Sequence, residues 1–197
     1  MASSTGRRVF VVTGPSGAGK GTLINKLLPR FPEIEIAVSA TTREQRPGEQ
    51  DGVDYWFLSK DEFERRVADG EFLEWVAYVS GHRYGTLRSE IDRIAAREHI
   101  CLLELETEGA IKVRDSVRGA VTIFVTAPVE ELERRLRKRA TESSGEIGER
   151  IELARRQLEQ QDEFDYVVEN DVPERAADEL ADIVRSELEA AATMSRS

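Results

Sequence analysis

Dense apolar runs alternate with longer stretches of spaced hydrophobes along this chain, and that rhythm predicts most of its elements. Val9 to Thr13, Ile100 to Glu106, Val121 to Thr126 and Tyr166 to Val168 are short runs that read as strands. Helical segments at about 21–30, 86–98, 109–115, 129–139, 148–162 and 174–191 fall between or after them. Strands that alternate with helices imply an α/β fold whose parallel sheet is covered on both faces. Ligands of such sheets bind at the carboxyl ends of the strands.

The rhythm changes between residues 39 and 85. A polar loop-rich stretch runs from Thr41 to Asp54, Tyr55-Trp56-Phe57 reads as a short strand, and Ser59-Lys60-Asp61-Glu62 is a capping box that opens a helix ending at Gly70. Phe72 to Val79 and Tyr84 flank the turn Ser80-Gly81-His82, which predicts a hairpin or small mixed sheet. We expect an inserted lobe at about 39–97, with Trp56 and Trp75 in its core, between core segments 1–38 and 98–197. A second irregular stretch, Ala140 to Gly148, separates two strongly charged helices and has the composition of a closing segment, a lid at about 139–158.

Composition narrows the class. A chain of 197 residues with 40% hydrophobic and 34% charged content fits one globular domain. A formal charge of −10 argues against a nucleic-acid partner. No apolar stretch approaches the roughly 20 residues that cross a membrane, and Met1 to Gly6 lacks the apolar core of a signal peptide, so no membrane partner and a cytoplasmic location are expected. The lone Cys101 lies in an apolar run and reads as a buried thiol, while His82 and His99 show no metal or triad arrangement. The pattern is silent on oligomeric state.

The strongest chemical signal follows the first strand. Gly14-Pro15-Ser16-Gly17-Ala18-Gly19-Lys20-Gly21, with Thr22 behind it, is a glycine-rich turn between a β-branched run and a helix, the context of a nucleotide P-loop. Successive N–H groups of such a loop wrap a polyphosphate, the helix start adds its positive dipole end, and Lys20 reaches the β and γ phosphates. Gly21 stands where the strict motif has Ser or Thr to hold Mg²⁺. In the strip Ser39 to Tyr55, Arg43 and Arg46 lie three apart among hydroxyls, a combination suited to clamping a monophosphate. Glu104 and Glu106 are two apart on a predicted strand end and share a face.

These motifs together resemble the guanylate kinase family: the P-loop, Ser39-x-Thr41-Thr42-Arg43-x-x-Arg46-x-Gly48-Glu49, Gly52-Val53-Asp54-Tyr55, Phe72-Leu73-Glu74, Tyr84-Gly85-Thr86 and Asn170-Asp171, in order from residue 9 to about 185. The resemblance implies a P-loop nucleoside monophosphate kinase fold, with an inserted NMP-binding lobe and a lid, that moves a phosphoryl group from Mg·ATP to GMP or dGMP. It implies that Arg43, Arg46, Tyr55 and Tyr84 hold the GMP phosphate, and that Ser39, Glu74, Thr86 and Glu106 read the guanine. Lys20, Arg135, Arg139 and Arg150 would neutralise the transferring group, Asn170 would contact the adenine, and Thr22 and Glu104 would reach Mg²⁺ largely through water.

The chain departs from the family at Glu104 and Glu106, where Asp is usual, at Glu108, where Gln is usual, and at Ala140, where Gly is usual. Each longer carboxylate extends its reach by roughly 1.5 Å. Asn170 reads equally as a helix N-cap ahead of Pro173. Two rival readings stay open: a non-catalytic binding module of the same fold, and a P-loop kinase for another small phosphate acceptor.

Overall fold

The structure is a computed structural model that describes residues 9–78, 81–139 and 144–194. The chain starts with β1 (Val9–Thr13), every residue of which is buried. Its residues sort by period two: Phe10 and Val12 enter the cluster beneath one sheet face, Val9 and Val11 the cluster beneath the other. That two-sided burial is why the strand is apolar throughout. Next come α1 (Lys20–Leu27), which buries Leu23, Ile24 and Leu27, and β2 (Ile34–Ile36).

The lobe follows: β3 (Ala40–Thr41), β4 (Trp56–Phe57), α2 (Lys60–Ala68), β5 (Phe72–Ala77) and β6 (Arg83–Leu87). These strands form their own sheet in the order β4-β3-β6-β5. Ser59 caps α2 by accepting from the Glu62 N–H at 3.1 Å, whereas the Glu62 carboxylate turns to Arg65 and Arg66. Gly70, at φ +70°, ends the helix as expected. Phe63 and Phe72 stack with centroids 4.4 Å apart at the heart of a small cluster that also holds Ala40 and Leu87, with Trp56 and Trp75 packed against it.

The chain continues with α3 (Arg88–Ala96), β7 (Ile100–Glu104), α4 (Thr107–Ser116), β8 (Ala120–Thr126), α5 (Val129–Arg139), α6 (Ser144–Leu158), β9 (Tyr166–Glu169) and α7 (Pro173–Met194). The core sheet is parallel with the order β2-β7-β1-β8-β9, so the P-loop strand is central. Among the described residues no helix is long and apolar enough to cross a membrane. Lobe and core meet at Glu90 of α3, whose buried carboxylate accepts from the Val38 N–H at 3.0 Å, the Trp56 Nε1–H at 3.3 Å and Arg93 at 2.9 Å.

Several boundaries differ from the sequence reading. The apolar pattern does not predict β2, a three-residue edge strand paired with β7. β7 stops at Glu104, because Leu105 makes the last bond to Val12 (3.1 Å) and Glu106 turns into the N-cap position of α4. The helix expected at 86–98 starts at Arg88, since Thr86 and Leu87 pair with β5. α6 runs from Ser144 to Leu158, and a 3-10 turn at Gln161–Glu163 stands where that helix was expected to continue. Val79, Ser80 and Ala140, which carries one family departure, lie outside the described residues.

Candidate active site

A cavity of about 460 Å³ opens at the carboxyl ends of β1 and β7 and extends beneath the lobe sheet. Its core wall is the P-loop. Gly14 (φ +135°) passes so close to β8 that a Cβ there would lie 2.1 Å from the Val125 carbonyl oxygen. Only glycine fits that approach. Lys20 is buried and donates to the carbonyls of Gly14 (2.7 Å) and Pro15 (3.4 Å), which curls its ammonium over the loop. Ser16, Gly17, Gly19, Lys20, Gly21 and Thr22 all line the cavity.

Asn170 locks the loop from behind. Its Nδ2 donates to the Ala18 carbonyl at 2.7 Å, and its Oδ1 is buried without a partner. The N-cap alternative does not fit, because α7 opens later, at Pro173. Arg135 sits beside it: Nε donates to Glu131 at 2.7 Å, Nη1 to the Gly17 carbonyl at 3.1 Å, and Nη2 to the Asn170 carbonyl at 3.4 Å. The i, i+4 pair with Glu131 aims the guanidinium at the loop backbone. Arg150 of α6 lines the cavity itself. The Arg139 side chain lies outside the described residues.

Glu104 and Glu106 both line the cavity, as their spacing predicts, although only Glu104 is in the strand. The Glu104 oxygens lie 3.8 and 4.0 Å from where a Cβ on Gly21 would stand, so this carboxylate faces the loop at the position that lacks the usual hydroxyl. Burial pushes its pKa up, Lys20 opposes the shift, and Glu106 adds to it.

The opposite wall belongs to the lobe. Glu74 and Thr86 are cross-strand partners in β5 and β6, and the Thr86 hydroxyl donates to Glu74 Oε1 at 2.9 Å. Glu74 is 5% exposed, and burial raises its pKa despite that bond. Its other oxygen reaches the first turn of α4: a Cβ on Gly109 would lie 2.6 Å from Oε2. Ser39, Glu74 and Tyr84 line the cavity with Glu106, while Thr86 stands behind Glu74.

At the lobe's outer end Tyr55 and Tyr84 line the cavity with ring centroids 6.0 Å apart. The Arg43 guanidinium lies 5.3 Å from the Tyr55 ring centroid and donates twice to Glu49, at 3.0 and 2.8 Å. Glu49 also accepts from the Arg46 N–H at 2.8 Å, so one carboxylate folds the loop that carries both arginines. These bonds hold the Glu49 carboxyl below the usual carboxylate range. Arg43 and Arg46 flank the cavity without lining it.

Asp54, Val76 and Tyr78 line the cavity and were not singled out in the sequence. Asp54 belongs to the Gly52-Val53-Asp54-Tyr55 motif, which is legible in the sequence. Tyr78 carries no such signal; β5 and its edge-on packing against Tyr84 (6.0 Å) bring it in.

Comparison with known proteins agrees with this geometry. The family model described as guanylate kinase matches residues 6–187. A guanylate kinase of Rubrobacter xylanophilus is 48% identical over 179 residues, covering 90% of this chain and 93% of that protein. One of Synechococcus sp. (strain JA-3-3Ab) is 46% identical over 178 residues, covering 90% and 82%. The crystal structure of guanylate kinase from Anaplasma phagocytophilum superposes with a TM-score of 0.73 at 32% identity, covering 91% of this chain and 85% of that one. With the P-loop, the paired Glu74 and Thr86 and the tyrosine pair arranged around one cavity, this chain belongs to the guanylate kinase family.

Proposed function

We propose that this protein is an ATP-dependent guanylate kinase that converts Mg·ATP and GMP to ADP and GDP in the cytoplasm. The observation that carries the reading is one cavity with Lys20 and the P-loop at one end and the buried Glu74–Thr86 pair at the other. Guanine offers N1–H and N2–H donors that a carboxylate accepts together, whereas adenine offers the reverse pattern on that edge. A wrong base leaves buried polar groups unpaired, so discrimination is strong.

The acceptor phosphate is already anionic, so transfer needs no dedicated base and no covalent enzyme intermediate. Arg43, Arg46, Tyr55 and Tyr84 hold that phosphate in line with the donor. Lys20 leaves its loop carbonyls for the β and γ phosphates, and Arg150 adds positive charge from α6, joined by Arg139. Arg135 and Asn170 keep the loop's N–H groups aimed at the phosphates, and the unpartnered Asn170 Oδ1, buried behind the loop, is the acceptor that would meet the adenine amino group. The Thr22 hydroxyl and the Glu104 carboxylate facing Gly21 line the cavity where they would hold the water shell of Mg²⁺ bound with ATP, which would supply neutralisation of phosphate charge. The lobe at about 39–97 and the lid at about 139–158, of which 140–143 lie outside the described residues, would close over the substrates and exclude water.

An ADP-release assay with Mg·ATP and GMP, and with AMP, CMP and UMP in parallel, tests this. Turnover on GMP alone is expected. GMP binding without turnover would favour a binding module, and turnover on another acceptor would reassign the substrate.

A further inference from the structure

Gln157 has no part in the scheme above, yet it is 7% exposed near the end of a strongly charged helix, α6. Its Nε2 donates to Glu106 Oε2 at 3.3 Å. Glu106 occupies the N-cap position of α4 but makes no side-chain cap bond there, so its carboxylate is not engaged by its own helix. A glutamate in that situation samples several rotamers unless a neighbour holds it. Gln157 is that neighbour.

The guanine edge carries three hydrogens, one on N1 and two on N2. Glu74 accepts from two of them, and its Oε1 already takes the Thr86 hydroxyl. The third needs a second acceptor, and Glu106, at the N-cap of the same α4 turn that Glu74 Oε2 reaches, lines the cavity with it. An amide suits position 157 because it donates to Glu106 without adding a third negative charge beside Glu104 and Glu106. We propose that Gln157 is a positioning residue for guanine selectivity, fixing one oxygen of Glu106 on the cavity wall and leaving the other for the exocyclic amino group of the base. This rests on the reading of Glu106 as a guanine contact. Arg150 and Gln157 are seven apart, on one side of α6, so the same helix lines the cavity with Arg150 and holds a cavity-wall carboxylate, Glu106, with Gln157.

The test compares Gln157→Met, Glu106→Gln and the double variant, with GMP and with inosine monophosphate, which lacks the 2-amino group, at saturating Mg·ATP. Losing a hydrogen bond to a charged group predicts a KM for GMP about tenfold higher in Gln157→Met. The KM for inosine monophosphate, the KM for ATP and kcat should stay within about twofold, as a held but unread carboxylate requires. Glu106→Gln should show the same selective loss, and the double variant no more than Glu106→Gln alone. Additive losses, or equal losses on both acceptors, would assign Gln157 a merely structural role and overturn the inference. If Glu106→Gln raises the KM for GMP and Gln157→Met does not, only the role of Gln157 falls. If Glu106→Gln leaves GMP unaffected, the reading of Glu106 fails and takes this inference with it. Should Gln157→Met not fold, Gln157→Glu keeps the shape, removes the donor and is expected to give the same selective loss.

Discussion

Replacing Gly109 with alanine separates stability from substrate reading. Gly109 is in the first turn of α4, and the added Cβ would meet Glu74 Oε2 at 2.6 Å and Cδ at 3.3 Å, with Leu105 Cβ at an ordinary 3.8 Å. The crowded atoms are the far end of a side chain, so the carboxylate yields rather than the helix. Reaching a normal C···O separation of about 3.3 Å moves Oε2 by about 0.7 Å. That displacement is enough to break a hydrogen bond to the base while leaving room for the fold. Alanine is favoured over glycine in a helix by about 1 kcal/mol, which raises Tm by about 2–4 °C in a protein of this size. A hydrogen bond to a charged acceptor is worth about 1.5–3 kcal/mol, so the KM for GMP should rise about tenfold to hundredfold with the KM for ATP unchanged. Thermal melting and steady-state kinetics on the same preparation decide the matter. A variant with the raised Tm and an unaltered KM for GMP would refute the placement of Glu74 Oε2 at the base.

Three further outcomes are expected. Burial raises the folded-state pKa of Glu74 above its unfolded value, so the folded protein holds the proton longer; stability falls as pH climbs from the ordinary carboxylate range through the raised value, while GMP affinity, which needs the anion if Glu74 has its proposed role, rises over the same window. Glu74→Gln should therefore melt higher at neutral pH and bind GMP weakly, as melting curves and GMP titrations between pH 4 and 8 would record. Gly19→Ala places a Cβ 2.3 Å from Asn170 Nδ2 at φ +91°, and should lower Tm and weaken ATP binding together; calorimetry showing a wild-type ATP affinity would contradict the lock described for Asn170. Cys101 is buried with its pKa pushed up to about 12, so a thiol reagent should label it only after denaturant is added, and rapid labelling of the native protein would contradict its position.

Local chemistry made much of this legible in sequence. β1 and the P-loop declare themselves because a β-branched run, glycines and a helix start are contiguous, and the lobe because turn residues and a cap bracket its short strands. What sequence does not carry is long-range pairing. β2 has three residues with Glu35 in the middle; it is a strand only because β7 offers an edge and because Arg93 of α3, together with Arg97 and His99 between α3 and β7, meets Glu35. Gln157 reads as one more polar residue on a charged helix, and its burial follows from where α6 crosses Glu106. Arg135 was legible as a cation near the phosphates, but its grip on the Gly17 and Asn170 carbonyls depends on α5 meeting a loop far behind it in the chain.

Both tryptophans of this chain, Trp56 and Trp75, pack against the lobe's own small cluster, and the core sheet with its helices has none. The Trp56 indole N–H is further tied to Glu90 at the junction with the core. Intrinsic fluorescence is thus a built-in optical reporter of the acceptor side. A change in emission when GMP is added, set beside a flat signal when ATP is added alone, would report the proposed closure of the lobe with no label attached, and stopped-flow mixing would time it with the same two indoles.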